Sequence, residues 1–261
     1  MMKQKHEIIR LDEITSTNEY AKALAREGAS HGTVVVARKQ SAGKGRLGRS
    51  FDSKEDKGIF MTIILRPDMQ PVEASRLTLV AAVAVREALA KSCGIQCGIK
   101  WPNDIVADGK KVCGILTEMS TENGRIKYVI VGIGVNVLND TFPKELSEVA
   151  TSVFLLTGRM YDKDMLLQEI IAKYDEYYEL YMRTRDLSAL KPQYDRYLVN
   201  IDKEVRVIPS GANGVALQGV CRGIDEEGDL LVEVCEEESK DRRLEKIVSG
   251  EVSVRGVYGY V

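Results

Sequence analysis

Histidine is nearly absent from this sequence. His6 and His31 are the only two in 261 residues, far apart and without a neighbouring zinc-ligand pattern, which argues against a histidine metal site and against a Ser-His-Asp triad. An excess of either charge is also missing. The 37 lysines and arginines against 39 acidic residues leave a net charge of -2, so a general nucleic-acid binder is disfavoured and the basic residues matter where they cluster. No apolar run is long enough to span a membrane: Leu77 to Ala90 is interrupted by Arg86 and Glu87, and Met1 to His6 lacks the apolar core of a signal peptide. The expectation is a soluble, cytoplasmic protein. Its five cysteines (Cys93, Cys97, Cys113, Cys221, Cys235) are odd in number and contain no Cys-x-x-Cys pair, so they read as buried thiols rather than disulfides.

What is present is a chain with 44% hydrophobic residues, enough for one large domain and a small one. Residues 6–11 read as an edge strand, and Ser16 opens a helix with Glu19 placed to complete a capping box. Strands are expected over 33–39 and 58–65, a buried helix over 74–91, then strands over 99–107, 110–119 and 127–134 joined by turns at Asp108-Gly109 and Asn123-Gly124. Helices follow over 165–182 and 187–198. The stripe Tyr174, Tyr177, Tyr178, Tyr181 has helical spacing and no basic run beside it, so it reads as core rather than a base-stacking platform. From Lys203 onward, short strands alternate with turn residues. The fold class is therefore α+β, a mainly antiparallel sheet with helices on one face over residues 1–200 and a small all-β domain over 201–261.

Two segments carry the chemistry. Ser41-Ala42-Gly43-Lys44-Gly45-Arg46-Leu47-Gly48-Arg49 combines three glycines, which free backbone N–H groups to curl around an anion, with three cations. Lys100-Trp101-Pro102-Asn103-Asp104, followed by Lys111-Val112-Cys113-Gly114-Ile115-Leu116, flanks a hairpin turn that aims a lysine, an amide and a carboxylate into one site. Together they point to nucleotide-dependent activation of a carboxylic acid. Gly43 to Ser50 also comes within one residue of a Walker A loop, but Phe51 to Gly58 is polar and runs into a strand, whereas a P-loop must open a helix. A basic loop can also grip nucleic-acid phosphates, whereas a plain solvated surface loop would not explain three glycines interleaved with cations.

These segments, with Ser16-Thr17-Asn18, Gln40, Gly132-Ile133-Gly134-Val135-Asn136 and Ser249 to Arg255, occur in the order and at the spacing of the biotin protein ligases, which the chain resembles over nearly its whole length. The resemblance implies a class II synthetase-like catalytic domain with a C-terminal SH3-like β-barrel. It also implies a two-step reaction in which biotin and MgATP give biotinyl-5′-AMP and pyrophosphate, and a lysine of a biotin carboxyl carrier domain then takes the biotinyl group. Lys111, Arg46 and Asp104 become the catalytic candidates: Lys111 at the biotin carboxylate and phosphate, Arg46 over the intermediate, Asp104 as acceptor for the proton of the attacking lysine, whose unperturbed pKa is about 10.4.

Biotin's ureido ring offers one acceptor and two donors, and Ser16, Thr17, Asn18, Gln40, Gly132 and Gly134 suit that demand. Gly43, Lys44, Arg46, Lys111, Gly114, Ile115 and Leu116 complete the biotin site, with Phe51 as a further wall. Arg46, Arg49, Asn103, Asp104, Lys111 and Asn136 are assigned to ATP and the adenylate. No metal ligands are assigned; Mg2+ arrives with ATP. Lys44 stands where the family often has arginine, which keeps the charge but loses the bidentate fork. No recognition helix precedes the first strand, so DNA binding is not expected. An exposed sheet edge makes a homodimer an option. A lipoate or octanoate ligase, and a non-catalytic carrier- or nucleic-acid-binding module, are the competing functions.

Overall fold

In a computed structural model, residues 6–209, 216–235, 242–248 and 252–256 are described. Seven strands, β1 (Ile8–Ile14), β2 (Val34–Gln40), β3 (Gly58–Leu65), β4 (Gly98–Lys100), β5 (Asp104–Ala107), β6 (Lys110–Glu122) and β7 (Arg125–Asn136), form one sheet in the order β1-β2-β3-β7-β6-β5-β4. Every pairing is antiparallel except β1 with β2. The expected single strand over 99–107 is interrupted at Trp101–Asn103, a turn with a cis Trp101–Pro102 peptide, so β4 and β5 pair with each other instead of running on.

Alternation along the strands sorts the two faces. Ile59, Met61, Ile63 and Leu65 of β3 and Val129, Val131, Ile133 and Val135 of β7 pack with α2 (Arg76–Cys93) and α4 (Lys163–Thr184) in the main core. The tyrosine stripe of α4 lies in this core, as expected. On the other face Ile64, Tyr128 and Ile130 pack against Ala21 and Ala25 of α1 (Thr17–Arg26). Helices thus cover one face almost wholly, and α1 adds a small second layer to the face that the sequence reading leaves bare. Two short helices, α3 (Val153–Thr157) and α5 (Lys191–Tyr197), complete the α-helices among the described residues; α3 was not expected, and α5 is shorter than the 187–198 reading. Four cysteines are buried, but Cys235 is exposed. It lies at the end of its strand, where alternation no longer meets a core.

The second sheet begins at Glu204. It comprises β8 (Glu204–Pro209), β9 (Leu217–Ile224), β10 (Leu230–Cys235), β11 (Arg242–Ile247) and β12 (Val252–Gly256) in the order β11-β10-β9-β8-β12, all antiparallel. Among the described residues no pairing joins β11 to β12, so closure into a barrel is not seen; Ser249 to Glu251 lie outside the described residues. The β9–β10 turn docks behind the larger sheet. Its successive carbonyls at Glu226, Glu227 and Gly228 accept from the Leu187 backbone N–H (2.8 Å), Arg76 Nε (3.0 Å) and Trp101 Nε1 (3.0 Å). Val205, Cys221, Ile224 and Val232 join the same buried cluster as the larger sheet.

The two histidines meet beside α4. His6 Nδ1 lies 2.6 Å from the Gly32 carbonyl and Nε2 lies 2.8 Å from Asp175 Oδ2. Both partners only accept, so the ring donates twice as an imidazolium, and the bond to Asp175 raises its pKa above 6.5. His31 Nδ1 instead accepts the Arg66 N–H, and burial, seconded by the charge on His6, pushes its pKa below 6.5. The signs oppose. His6 contributes stability that is full below the unfolded pKa and lost as pH rises through its raised folded value. His31 contributes stability that is full above the unfolded pKa and lost as pH falls through its lowered value. Between pH ~5.5 and ~8 the unfolding temperature should therefore peak near pH ~6.5. His6→Gln should flatten the alkaline limb and, by removing the charge that helps to lower the His31 pKa, soften the acid limb as well; an unchanged alkaline limb would remove His6 from this balance.

Candidate active site

The site grows from the register of neighbouring strands. Phe60, Gly134, Gly114 and Asp104 are aligned across β3, β7, β6 and β5, and Thr62, Gly132 and Leu116 form the next row. Both rows share the α1 face. Where glycines stand, the sheet has no side chains, and the result is a trench. A Cβ on Gly132 would sit 2.1 Å from Asn18 Oδ1, and one on Gly134 would sit 2.8 Å from the Phe51 ring.

One wall is a buried polar network at the start of α1. Ser16, Thr17 and Asn18 are each no more than 4% exposed. The Thr17 backbone N–H and hydroxyl both lie within bonding distance of Gln40 Oε1 (2.8 and 3.1 Å). A backbone N–H can only donate, so the Gln40 amide is oriented with its NH2 group directed elsewhere as a donor. Thr62 Oγ1 lies 2.7 Å from Asn18 Oδ1 and 2.9 Å from Thr17 Oγ1, while Asn18 Nδ2 donates to Glu118 Oε2 (2.8 Å). Ser16 sits at the N-cap, but its side chain makes no capping bond. Glu19, expected to close a capping box, pairs instead with Lys22 and Lys44. Ion pairs to two ammonium groups outcompete a reach back to the backbone.

The glycine-rich segment leaves β2 and is tied at its base, where the Ser41 and Ala42 N–H groups donate to the carbonyls of Ile14 and Thr15. Gly43 fits where a Cβ would strike Ser53 Oγ and the Phe51 carbonyl. Lys44 and Ser50 form a bridge, Gly45 N–H donates to the Arg49 carbonyl (2.7 Å), and Arg46–Gly48 makes one 3-10 turn. No α-helix follows, which removes the P-loop reading. Phe51 then folds back over Gly114 and Gly134, edge-on to Phe60 at 6.3 Å.

Opposite stand the cations. Lys111 Nζ is 2.6 Å from Asp104 Oδ1 and 5.8 Å from the centre of the Phe51 ring. Its side chain lies over Gly114, three residues on, which a regular strand would put on the other face. A β-bulge between Ile105 and Val106 shifts the register there, and Val112 and Cys113 both turn into the core. Arg46 Nη1 donates to Asn103 Oδ1 (3.3 Å), and Asn103 is itself clamped to Ile115 through both its backbone carbonyl and its side-chain amide. Burial lowers the pKa of Arg46 while the Asp104 charge works against that shift.

Ser16, Thr17, Asn18, Gln40, Lys44, Arg46, Asn103, Lys111, Gly114, Ile115, Leu116, Gly132 and Gly134 all line this one cleft. Gly43 lies behind Gln40 and Asp104 behind Lys111. Arg49 and Asn136 are not brought to its wall; Asn136 is buried at the end of β7, donating to the Thr151 carbonyl (3.0 Å). Thr62, Phe60 and Glu118 escaped the sequence reading. Thr62 had a signal: it is the only polar side chain in the strand Gly58–Leu65. The cleft holds about 40 Å3, well below the roughly 300 Å3 at the small end of ligand sites. Among the described residues no group of three or more His, Cys, Asp or Glu could hold a metal, and no helix is long and apolar enough to cross a membrane.

A profile of the biotin/lipoate A/B protein ligase family matches residues 10–136. A bifunctional ligase/repressor BirA of Bacillus spizizenii is 43% identical over 231 residues, covering 88% of this chain and 70% of that protein. A biotin--[acetyl-CoA-carboxylase] ligase of Paracoccus denitrificans is 33% identical over 223 residues, covering 83% of this chain and 90% of its own length. Among solved structures, a biotin protein ligase from Aquifex aeolicus in complex with biotin and ATP superposes with a TM-score of 0.81 at 30% identity, over 96% of this chain and 99% of that one.

Proposed function

Because this chain belongs to the biotin protein ligases of the biotin/lipoate A/B protein ligase family, we propose that its glycine-floored cleft makes biotinyl-5′-AMP from biotin and ATP and passes the biotinyl group to a lysine of a carboxyl carrier domain. Of the BirA name only the ligase half is carried over. The observation that bears most weight is the convergence of Lys111 and Arg46 across the trench from the Thr17–Gln40–Thr62 network. One end of the cleft suits a neutral ring rich in hydrogen-bonding groups, and the other suits concentrated negative charge.

In the first step a biotin carboxylate oxygen bonds to the α-phosphorus of ATP, brought in with Mg2+, and the α–β bridging bond breaks to release pyrophosphate. Anion meets anion, so preset cations lower the barrier. Lys111 serves the carboxylate and α-phosphate, Arg46 covers the adenylate, and Asn103 holds Arg46. In the second step the carrier amine bonds to the acyl carbon and AMP leaves. With Lys111 drawn to the phosphate, Asp104 is released to accept the amine proton.

The Gln40 NH2 group and the Thr17 and Thr62 hydroxyls favour a ureido ring over the dithiolane of lipoate, which has no such groups to satisfy them. Pyrophosphate release on adding MgATP with biotin, and not with lipoate or octanoate, tests the reading; a lipoate-dependent signal overturns it, and no signal with any acid leaves only a binding module. Beside the cleft, β6 runs on to Glu122 past the end of β5 with Met119 exposed. This edge is where the carrier or a second copy would add a strand, and sedimentation with and without the adenylate tests the dimer. Five free thiols suit a reducing cytoplasm.

Arg46→Gly should still make biotinyl-5′-AMP but lose it to solvent, because closure over a mixed anhydride is what excludes water and stray amines. Labelling of bystander lysines should rise. Equal retention by mutant and wild type rules this role out.

A further inference from the structure

Four charges form a chain across three elements at one side of the cleft. Lys44 Nζ, on the glycine-rich loop, lies 2.7 Å from Glu19 Oε1 on α1. Lys22 Nζ reaches the same oxygen at 2.8 Å and Glu118 Oε1 on β6 at 2.6 Å. The other Glu118 oxygen accepts from Asn18, inside the polar wall. Lys44 therefore lines the cleft while its ammonium group is committed to α1. We propose that Lys44 and Glu19 are positioning residues: their ion pair straps the glycine-rich loop to α1 and holds it shut over the bound adenylate, with Lys22 and Glu118 keeping Glu19 in place.

The inference deepens the ligase reading and rests on it. Its physical basis is where the two ends of the strap sit. Glu19 is one residue beyond Asn18, so α1 carries both the wall that grips the ligand and the anchor for the lid. Lys44 precedes Gly45 and Arg46, so its tether limits how far the loop tip can swing. The pair is half exposed, which keeps it weak enough to open in every turnover. Bonds from Lys22 first, and Lys44 next, hold the Glu19 carboxyl down at about 2, so the strap stays charged across the physiological range.

The test is the release rate of preformed biotinyl-5′-AMP from the full chain. Glu19→Gln and Lys44→Gln should each release it about three- to fivefold faster at low ionic strength, the range of an exposed ion pair. The double variant should be no faster than either single one, because both remove the same interaction. Lys44→Arg should hold the adenylate as the wild type does, and the differences should shrink in ~1 M salt, where the screening length falls to about 3 Å, close to the 2.7 Å of the pair. A merely structural loss would lower the unfolding temperature without that salt dependence. Additive effects in the double variant would mean that Lys44 acts on the ligand directly, and would overturn the strap. Amide hydrogen exchange of residues 41–50 in the ligand-free chain gives a readout independent of catalysis: Glu19→Gln should speed it by a similar factor. If the wild type makes no adenylate, the ligase reading fails and exchange alone judges the strap; unchanged exchange overturns the strap whatever the chemistry.

Discussion

Replacing Lys111 with alanine should slow biotinyl-5′-AMP formation by about two to three orders of magnitude, the cost of removing one oriented electrostatic donor from a water-poor site. Lys111 lies over Gly114, where a Cβ would strike its Nζ at 2.7 Å, and its ammonium is held in place by a carboxylate 2.6 Å away. The attack of one anion on another concentrates charge there, so its loss weighs on the transition state more than on either bound substrate. The chain should stay folded, because Lys111 is partly exposed and carries little core. The cost to stability is the loss of the partly buried Lys111–Asp104 ion pair, between about 1 kcal/mol for an exposed pair and about 3–5 kcal/mol for a buried one. Single-turnover pyrophosphate release, with circular dichroism as a check on folding, measures both. Near-normal synthesis by a folded Lys111→Ala chain would take this residue out of the mechanism.

Gly132→Ala should weaken biotin binding by roughly 5- to 150-fold, the equivalent of about 1–3 kcal/mol for forcing an extra carbon into a packed site. The new Cβ would lie 2.1 Å from Asn18 Oδ1, and Asn18 cannot swing away freely because Thr62 and Glu118 hold both ends of its amide. The displacement would then pass to Thr17 and Gln40 through Thr62. Gly134→Ala is the internal comparison. The atoms nearest its Cβ would all belong to the Phe51 ring, at 2.8 Å rather than 2.1 Å, so its effect should be the smaller. Calorimetric titration with biotin decides the matter; equal penalties, or none at Gly132, would contradict the trench geometry.

The reading from sequence succeeded where local rules act without competition. The strand Gly58–Leu65 came out residue for residue, and the tyrosine stripe of α4 is core because four large rings at helical spacing have only one face to bury. The glycine-rich segment opened no helix because its polar, aperiodic continuation had no apolar stripe to bury. Where two local rules competed, the reading failed. Ser16 and Glu19 have the spacing of a capping box, but Glu19 meets two lysines, one of them from a loop 25 residues away.

What the sequence determined by itself was the inventory: which residue types could meet an acyl phosphate and a ureido ring, and which segments present them. What only the tertiary structure decided was parity and proximity. Lys111 and Gly114 are three apart and should face opposite ways on a regular strand; a bulge set by pairing with β5 puts them together. Thr62, an ordinary hydroxyl in an apolar run, becomes a hub because α1 crosses above it with Thr17 and Asn18. Both depend on which strand lies beside which. That choice is made by burying the whole apolar face of the sheet against α2 and α4 at once, and no window of neighbouring residues contains it.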